Sequence, residues 1–209
     1  TVDIMVDGDR VHRVRTGSGE PGPGYDVVTT DDAHHTFEIR ARGDGPVTVF
    51  GSSVEREAPG VVVDALGING FRAAGQLLWD EALHAEHLRR RTPDLVVLAY
   101  GTNESGDDDQ PIEVYEASLR RVLARVQGAV PTASCLLVGP SDRPVLGRDG
   151  AASDRPRTAE IVAVQRRVAA EVGCGFFDMV AFGGGPATRS HQSAQRTAAS
   201  RWRRCRPMA

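Results

Sequence analysis

Leu95-Val96-Val97-Leu98-Ala99-Tyr100-Gly101-Thr102-Asn103-Glu104 decides the fold of this 209-residue chain. Its apolar run is continuous, with Pro93 and Asp94 ahead of it and Gly101 behind it. Such a run fits a strand buried on both faces of a parallel sheet. The chain turns at Gly101, which puts Asn103 just beyond the strand's carboxyl end. Open α/β sheets bind ligands at that edge. An Asn amide placed there can aim an N–H at a developing oxyanion.

The same texture extends from residue 61 onward. Residues 61–66, Val-Val-Val-Asp-Ala-Leu, read as a strand, with Gly67-Ile68-Asn69-Gly70 as its carboxyl-end loop. Residues 71–90 read as a helix whose apolar side is Leu77, Leu78, Ala82, Leu83 and Ala85. A second helix, 112–126, starts behind Pro111 and carries Leu119, Val122, Leu123 and Val126 on one stripe. Residues 135–138 are a strand, 158–172 a helix and 175–177 a last strand. Strands alternating with helices predict a parallel, doubly wound α/β sheet.

Upstream the rhythm is different. Val2, Ile4 and Val6 alternate, and Asp7-Gly8 follows as a hairpin turn. Val11 and Val14 lie in a second run, and residues 25–29, 36–41 and 47–50 read as further short strands. Residues 1–58 are therefore expected to form a small antiparallel β unit. A unit of that size buries little core by itself.

Composition narrows the function classes. Hydrophobic content of 40% and charged content of 25% are ordinary for a globular protein. No stretch has the ~20 apolar residues needed to cross a bilayer, so no membrane partner is expected. All 25 basic residues are Arg, a pattern that fits coding bias in GC-rich DNA. No acidic residue follows Asp178, whereas Arg189, Arg196, Arg201, Arg203, Arg204 and Arg206 do. An acidic body of about −9 thus ends in a basic tail, residues 183–209, without apolar periodicity. Such a tail could bind nucleic acid electrostatically, but the acidic body argues against that partner. Cys135, Cys174 and Cys205 form no metal or redox spacing, and the first two are expected as buried thiols.

Three loops, 67–70, 101–105 and 139–143, end at one edge of such a sheet. Here the sequence resembles the SGNH (GDSL-like) hydrolases, a family of esterases and lipases. Gly101-Thr102-Asn103 matches that family's Gly-x-Asn block, and Gly70 matches its Gly block about thirty residues upstream. Gly-Pro-Ser-Asp-Arg at 139–143 and Phe-Phe-Asp-Met at 176–179 are similar to its later strands. The resemblance covers residues 59–182 and implies a flavodoxin-like parallel sheet. It also implies a serine esterase in which the Gly70 N–H and the Asn103 amide hold the oxyanion. No metal or organic cofactor is implied.

The family's Gly-Asp-Ser block is not found, and neither is its Asp-x-x-His block. His191, the single histidine beyond Phe182, has no Asp three positions before it. The resemblance therefore implies an α/β domain lacking its first strand and a β unit similar to the carbohydrate-binding-like inserts of some relatives. The expected substrate is a small-molecule or glycan ester, with an O-acetyl group on a carbohydrate favoured. This chain alone is expected to be weak or inactive. The alternative is a non-catalytic carbohydrate-binding module on an α/β scaffold.

Blander roles stand beside these. Asn103 could cap the following turn, and Gly70 could be a plain turn glycine. Ser52 and Ser53 read as strand–turn–strand, and Ser141 as a turn residue. Asp80, His84 and His87 share one side of the first helix at a spacing that permits a metal, although a solvated face is the expectation. Residues 107–109, three consecutive aspartates, read as an exposed loop.

Overall fold

The computed structural model describes residues 1–17, 22–148 and 152–185. It divides into two units, 1–66 and 67–209.

In the first unit, β1 (Val2–Val6) pairs antiparallel with β2 (Asp9–Val14) on one side and β3 (Phe37–Ala41) on the other. The predicted Asp7-Gly8 turn is present, with φ of 53° and 90°, the positive values a two-residue hairpin loop requires. A register shift between Ile4 and Met5 interrupts the alternation of β1, so Met5 and Val6 are both buried. Asp3 is buried too. Its carboxylate accepts from Arg13 Nε at 2.6 Å and Nη2 at 3.1 Å, with Arg42 at 3.4 Å. The Arg13 bond holds the Asp3 carboxyl below its usual range.

Three expected strands are absent. Residues 25–29, 47–50 and 61–66 have β-type composition but no ladder partner in the described chain. Backbone N–H and C=O groups gain from extension only when another strand takes them up. Val61 is 90% and Val63 82% exposed, so the valine run that reads as buried lies in solvent.

In the second unit β4 (Leu95–Ala99), β5 (Ser134–Val138) and β8 (Gly175–Phe177) form a parallel sheet in that order. The strands alternate with α1 (Glu81–Arg91), α2 (Ile112–Ala129) and α3 (Pro156–Val172), and α4 (Met179–Phe182) is one short turn. A hairpin of β6 (Val145–Leu146) and β7 (Ala152–Ser153), unforeseen in the sequence, follows β5. The α/β architecture is as expected, and α2 begins behind Pro111 as its sequence requires.

Two details differ. The helix expected over residues 71–90 is split into a 3-10 segment, Ala73–Leu78, and α1. Trp79, in extended conformation, separates them, and the Asp80 carboxylate caps α1 by accepting from the Leu83 N–H at 2.8 Å. Asp80 therefore serves as a cap. Leu78, placed on the apolar side from sequence, is exposed.

The second difference concerns β4, which is not buried on both faces. Leu98 packs with Leu137 against Leu119, Leu123, Ile161 and Val168 from α2 and α3. Leu95 and Val97, pointing to the other face, are 51% and 49% exposed.

Polar links lock the covered face. Gln165, fully buried, donates to the Tyr100 carbonyl at 2.9 Å and to the Tyr115 hydroxyl at 2.8 Å. Burial, with the Glu104 charge next in importance, pushes the Tyr115 hydroxyl well above its usual range, so it stays protonated. Cys135 and Cys174 are joined as a disulfide rather than left as thiols, with Cα atoms 4.8 Å apart. Parallel register between β5 and β8 brings these cysteines side by side, a proximity their separation of 39 residues conceals.

Candidate active site

Beyond β4 the chain reverses at Gly101, where φ is 114°. A Cβ at this point would lie 2.9 Å from Ile161 Cγ2 and 3.0 Å from Pro140 Cδ. Only glycine satisfies both the conformation and the space. The loop then closes into a 3-10 turn, Glu104–Gly106, as the Ser105 N–H donates to the Gly101 carbonyl at 2.8 Å.

Asn103 sits at the N-cap of that turn but makes no capping bond. Its side-chain Nδ2 donates instead to the Phe71 carbonyl at 3.1 Å, across to the loop that carries Gly70. A carbonyl oxygen only accepts, so the amide nitrogen must face it. One N–H is thereby fixed and the second is left to aim elsewhere. Gly70 has φ of 75° and open space where a Cβ would stand. Among the described residues its N–H has no hydrogen-bond partner.

Further bonds fasten the two loops. Arg72 forms a two-pronged pair with Asp107 at 2.8 and 2.7 Å. The buried Glu104 carboxylate accepts the Ala73 N–H at 2.8 Å through Oε1 and the Gly101 N–H at 3.0 Å through Oε2. The Phe71 ring stacks on Trp79, with centroids 5.4 Å apart. The loop after β5 joins them: the Ser141 N–H donates to Thr102 Oγ1 at 3.3 Å and Arg143 to the Thr102 carbonyl at 3.2 Å. Residues 71–73, which follow the 67–70 loop, and the loops 101–105 and 139–143 are thus linked by hydrogen bonds within one unit.

Other sequence candidates fall into structural roles. Asp107 pairs with Arg72 and Asp108 with Arg155, so the acidic loop is drawn into ion pairs. Ser52 and Ser53 lie in irregular, exposed chain. His84 packs edge-on to Trp79, and its imidazole is held below the usual range, chiefly by burial. His191 and Cys205 lie outside the described residues. Sequence reading missed Glu104, because a Glu after an Asn gives no sign that it will turn inward and take two backbone N–H groups.

A GDSL-like lipase/acylhydrolase family model matches residues 26–201, most of the chain. The chain belongs to that family. Among solved structures, a peptidoglycan O-acetylesterase is 26% identical with a TM-score of 0.57, over 63% of this chain and 37% of the other. This chain therefore spans well under half of that enzyme's length. Est24, a carbohydrate acetylesterase from Sinorhizobium meliloti, is 15% identical with a TM-score of 0.34, over 57% of this chain and 67% of that one. No curated protein matches. No helix among the described residues is long and apolar enough to cross a membrane.

Proposed function

We propose that this chain supplies the oxyanion-binding part of a serine esterase that removes an O-acetyl group from a carbohydrate. One observation carries the reading: the Asn103 amide is held on the Phe71 carbonyl, one residue from the unpartnered Gly70 N–H. Attack of a serine hydroxyl on an ester builds negative charge on the carbonyl oxygen. Fixed N–H donors stabilise that charge without reorganising as it forms. Gly70 lets the acyl group approach its backbone, and Asn103 contributes its second amide proton.

The nucleophile belongs on a strand that pairs with β4. The outer edge of β4 has no partner among the described residues, and the Leu95 and Val97 face has no helix over it. A strand ending in a serine and leading into a helix would fill both gaps. A histidine base and an aspartate orienting it complete such a triad; residues 179–209 hold no acidic side chain, so the version tested must supply both. No metal or cofactor has a part in this chemistry. The carbohydrate O-acetyl substrate is supported by the likeness to a peptidoglycan O-acetylesterase and by the β-rich first unit.

The test is acetate release from a short acyl ester and from an O-acetylated glycan. It compares this chain with a longer version that carries a Gly-Asp-Ser block upstream and an Asp-x-x-His block downstream. Hydrolysis by the longer version, lost on Asn103→Ala, is expected. Absence of hydrolysis in a longer version bearing both blocks would end the esterase reading.

A further inference from the structure

We infer that Glu104 is the positioning residue of the oxyanion site, a buried clasp that sets where the Asn103 amide points. The inference rests on the esterase reading above and adds a residue to it. Glu104 is 5% exposed and, among the described residues, has no basic side chain on its carboxylate; backbone donors from two separate loops occupy its two oxygens. One donor, Gly101 N–H, belongs to the turn that carries Asn103. The other, Ala73 N–H, opens the 3-10 segment just after the loop that carries Gly70. The carboxylate therefore spans the gap between the two proposed oxyanion donors.

Adjacency makes the clasp directional. Asn103 and Glu104 are consecutive, and they grip Phe71 and Ala73 on the facing loop, one by its carbonyl and the other by its N–H. Two contacts of opposite polarity fix both the spacing of the loops and their relative slide. Arg72 lies between Phe71 and Ala73, but in its pair with Asp107 it is half exposed, so water can replace that pair. Nothing comparable can replace Glu104. A buried carboxylate that accepts two backbone N–H groups has no solvent to fall back on.

Glu104→Gln tests this with little change of shape. A carboxamide keeps one accepting oxygen and turns an NH2 toward the other backbone N–H, so one of the two bonds must break. In the full chain, followed by NMR, the Gly101 or Ala73 amide should exchange about tenfold faster or more, the loss of one charge-assisted bond. The Asn103 side-chain protons should move toward the shifts of a free amide. Where wild type, in the longer version, hydrolyses a short acyl ester, kcat should fall about a hundredfold with little change in KM, as for a misplaced catalytic group.

Glu104→Asp, one methylene too short to reach both loops, should reproduce the NMR changes if Gln disturbs folding. Unchanged Asn103 side-chain signals in both variants would overturn the inference. So would altered signals with undiminished turnover. A longer version bearing both missing blocks but without turnover would defeat the esterase reading alone, while the Asn103 signals would still decide the clasp.

Discussion

Asn103 spends one amide proton on the Phe71 carbonyl, 3.1 Å away, rather than on capping its own turn. A residue whose only duty is to start a 3-10 turn would do the reverse. Asn103→Ala should therefore leave unfolding close to wild type. In an active version it should lower kcat by about 10²–10³, or ~2.7–4 kcal/mol of barrier, the scale for loss of one oxyanion donor. Steady-state kinetics and a urea titration on the same preparation check both halves.

Gly101→Ala should act on stability. The new methyl would meet Ile161 and Pro140 while the backbone stays in a region that L residues avoid. A loss of about 2–4 kcal/mol is expected from strain and overpacking together. Chemical denaturation would show it as a lower midpoint at unchanged slope.

Gln165→Leu removes the donor that serves Tyr100 and Tyr115. The Tyr100 carbonyl would be left without that bond, at a cost of about 1–3 kcal/mol. The value should fall in the lower part of that range, because the Gln165 Oε1 is itself buried without a partner. Tyr115→Phe should cost less, since Gln165 keeps its bond to Tyr100. A denaturation series on the two variants orders them.

Reduction of the Cys135–Cys174 disulfide, or its replacement by a pair of serines, should destabilise the second unit. Closing a loop of 39 residues is worth about 3–4 kcal/mol on the chain-entropy model. Thermal melts with and without reductant give the comparison.

The first unit should depend on pH through His35. Its Nδ1 lies 2.7 Å from Asp7 Oδ2 and its Nε2 3.0 Å from the Asp31 carbonyl. Both partners only accept, so both ring nitrogens must donate and the imidazolium is the fitting form. The Asp7 bond raises the His35 pKa and, in turn, lowers that of Asp7. The His35 contribution is complete below the unfolded imidazole pKa and fades as pH rises through the higher folded value. The Asp7 contribution is complete above the unfolded carboxylate pKa and is lost as pH falls through the lower folded value. The unit should be most stable in mildly acidic solution, and His35→Gln should flatten the alkaline side of the profile. Amide exchange at Thr36, whose N–H donates to Asp7 at 2.8 Å, reports it.

Legibility in the sequence followed locality. The apolar stripe of α2 and the Pro at its start are properties of a single helix, and both were readable. The Asp7-Gly8 turn is likewise local. Residues 61–66 look like a strand to any local reading, yet a strand exists only with a neighbour. Trp79 breaks the helix expected over 71–90 because its backbone is extended and Arg125, from α2, donates to its carbonyl at 3.4 Å. The position of Asn103, just beyond the end of β4, was legible from the apolar run ahead of it. Glu104 was not, because its partners lie in a loop some thirty residues away.

The side of β4 that is unpaired among the described residues also bears on how this polypeptide behaves in a tube. Leu-Val-Val-Leu-Ala has no charge and no proline to discourage a visiting strand. Two copies can zip together along that ribbon, so turbidity and sedimentation of the isolated chain should rise steeply with concentration. A lysine in place of Val97, set on the bare side, is the natural gatekeeper.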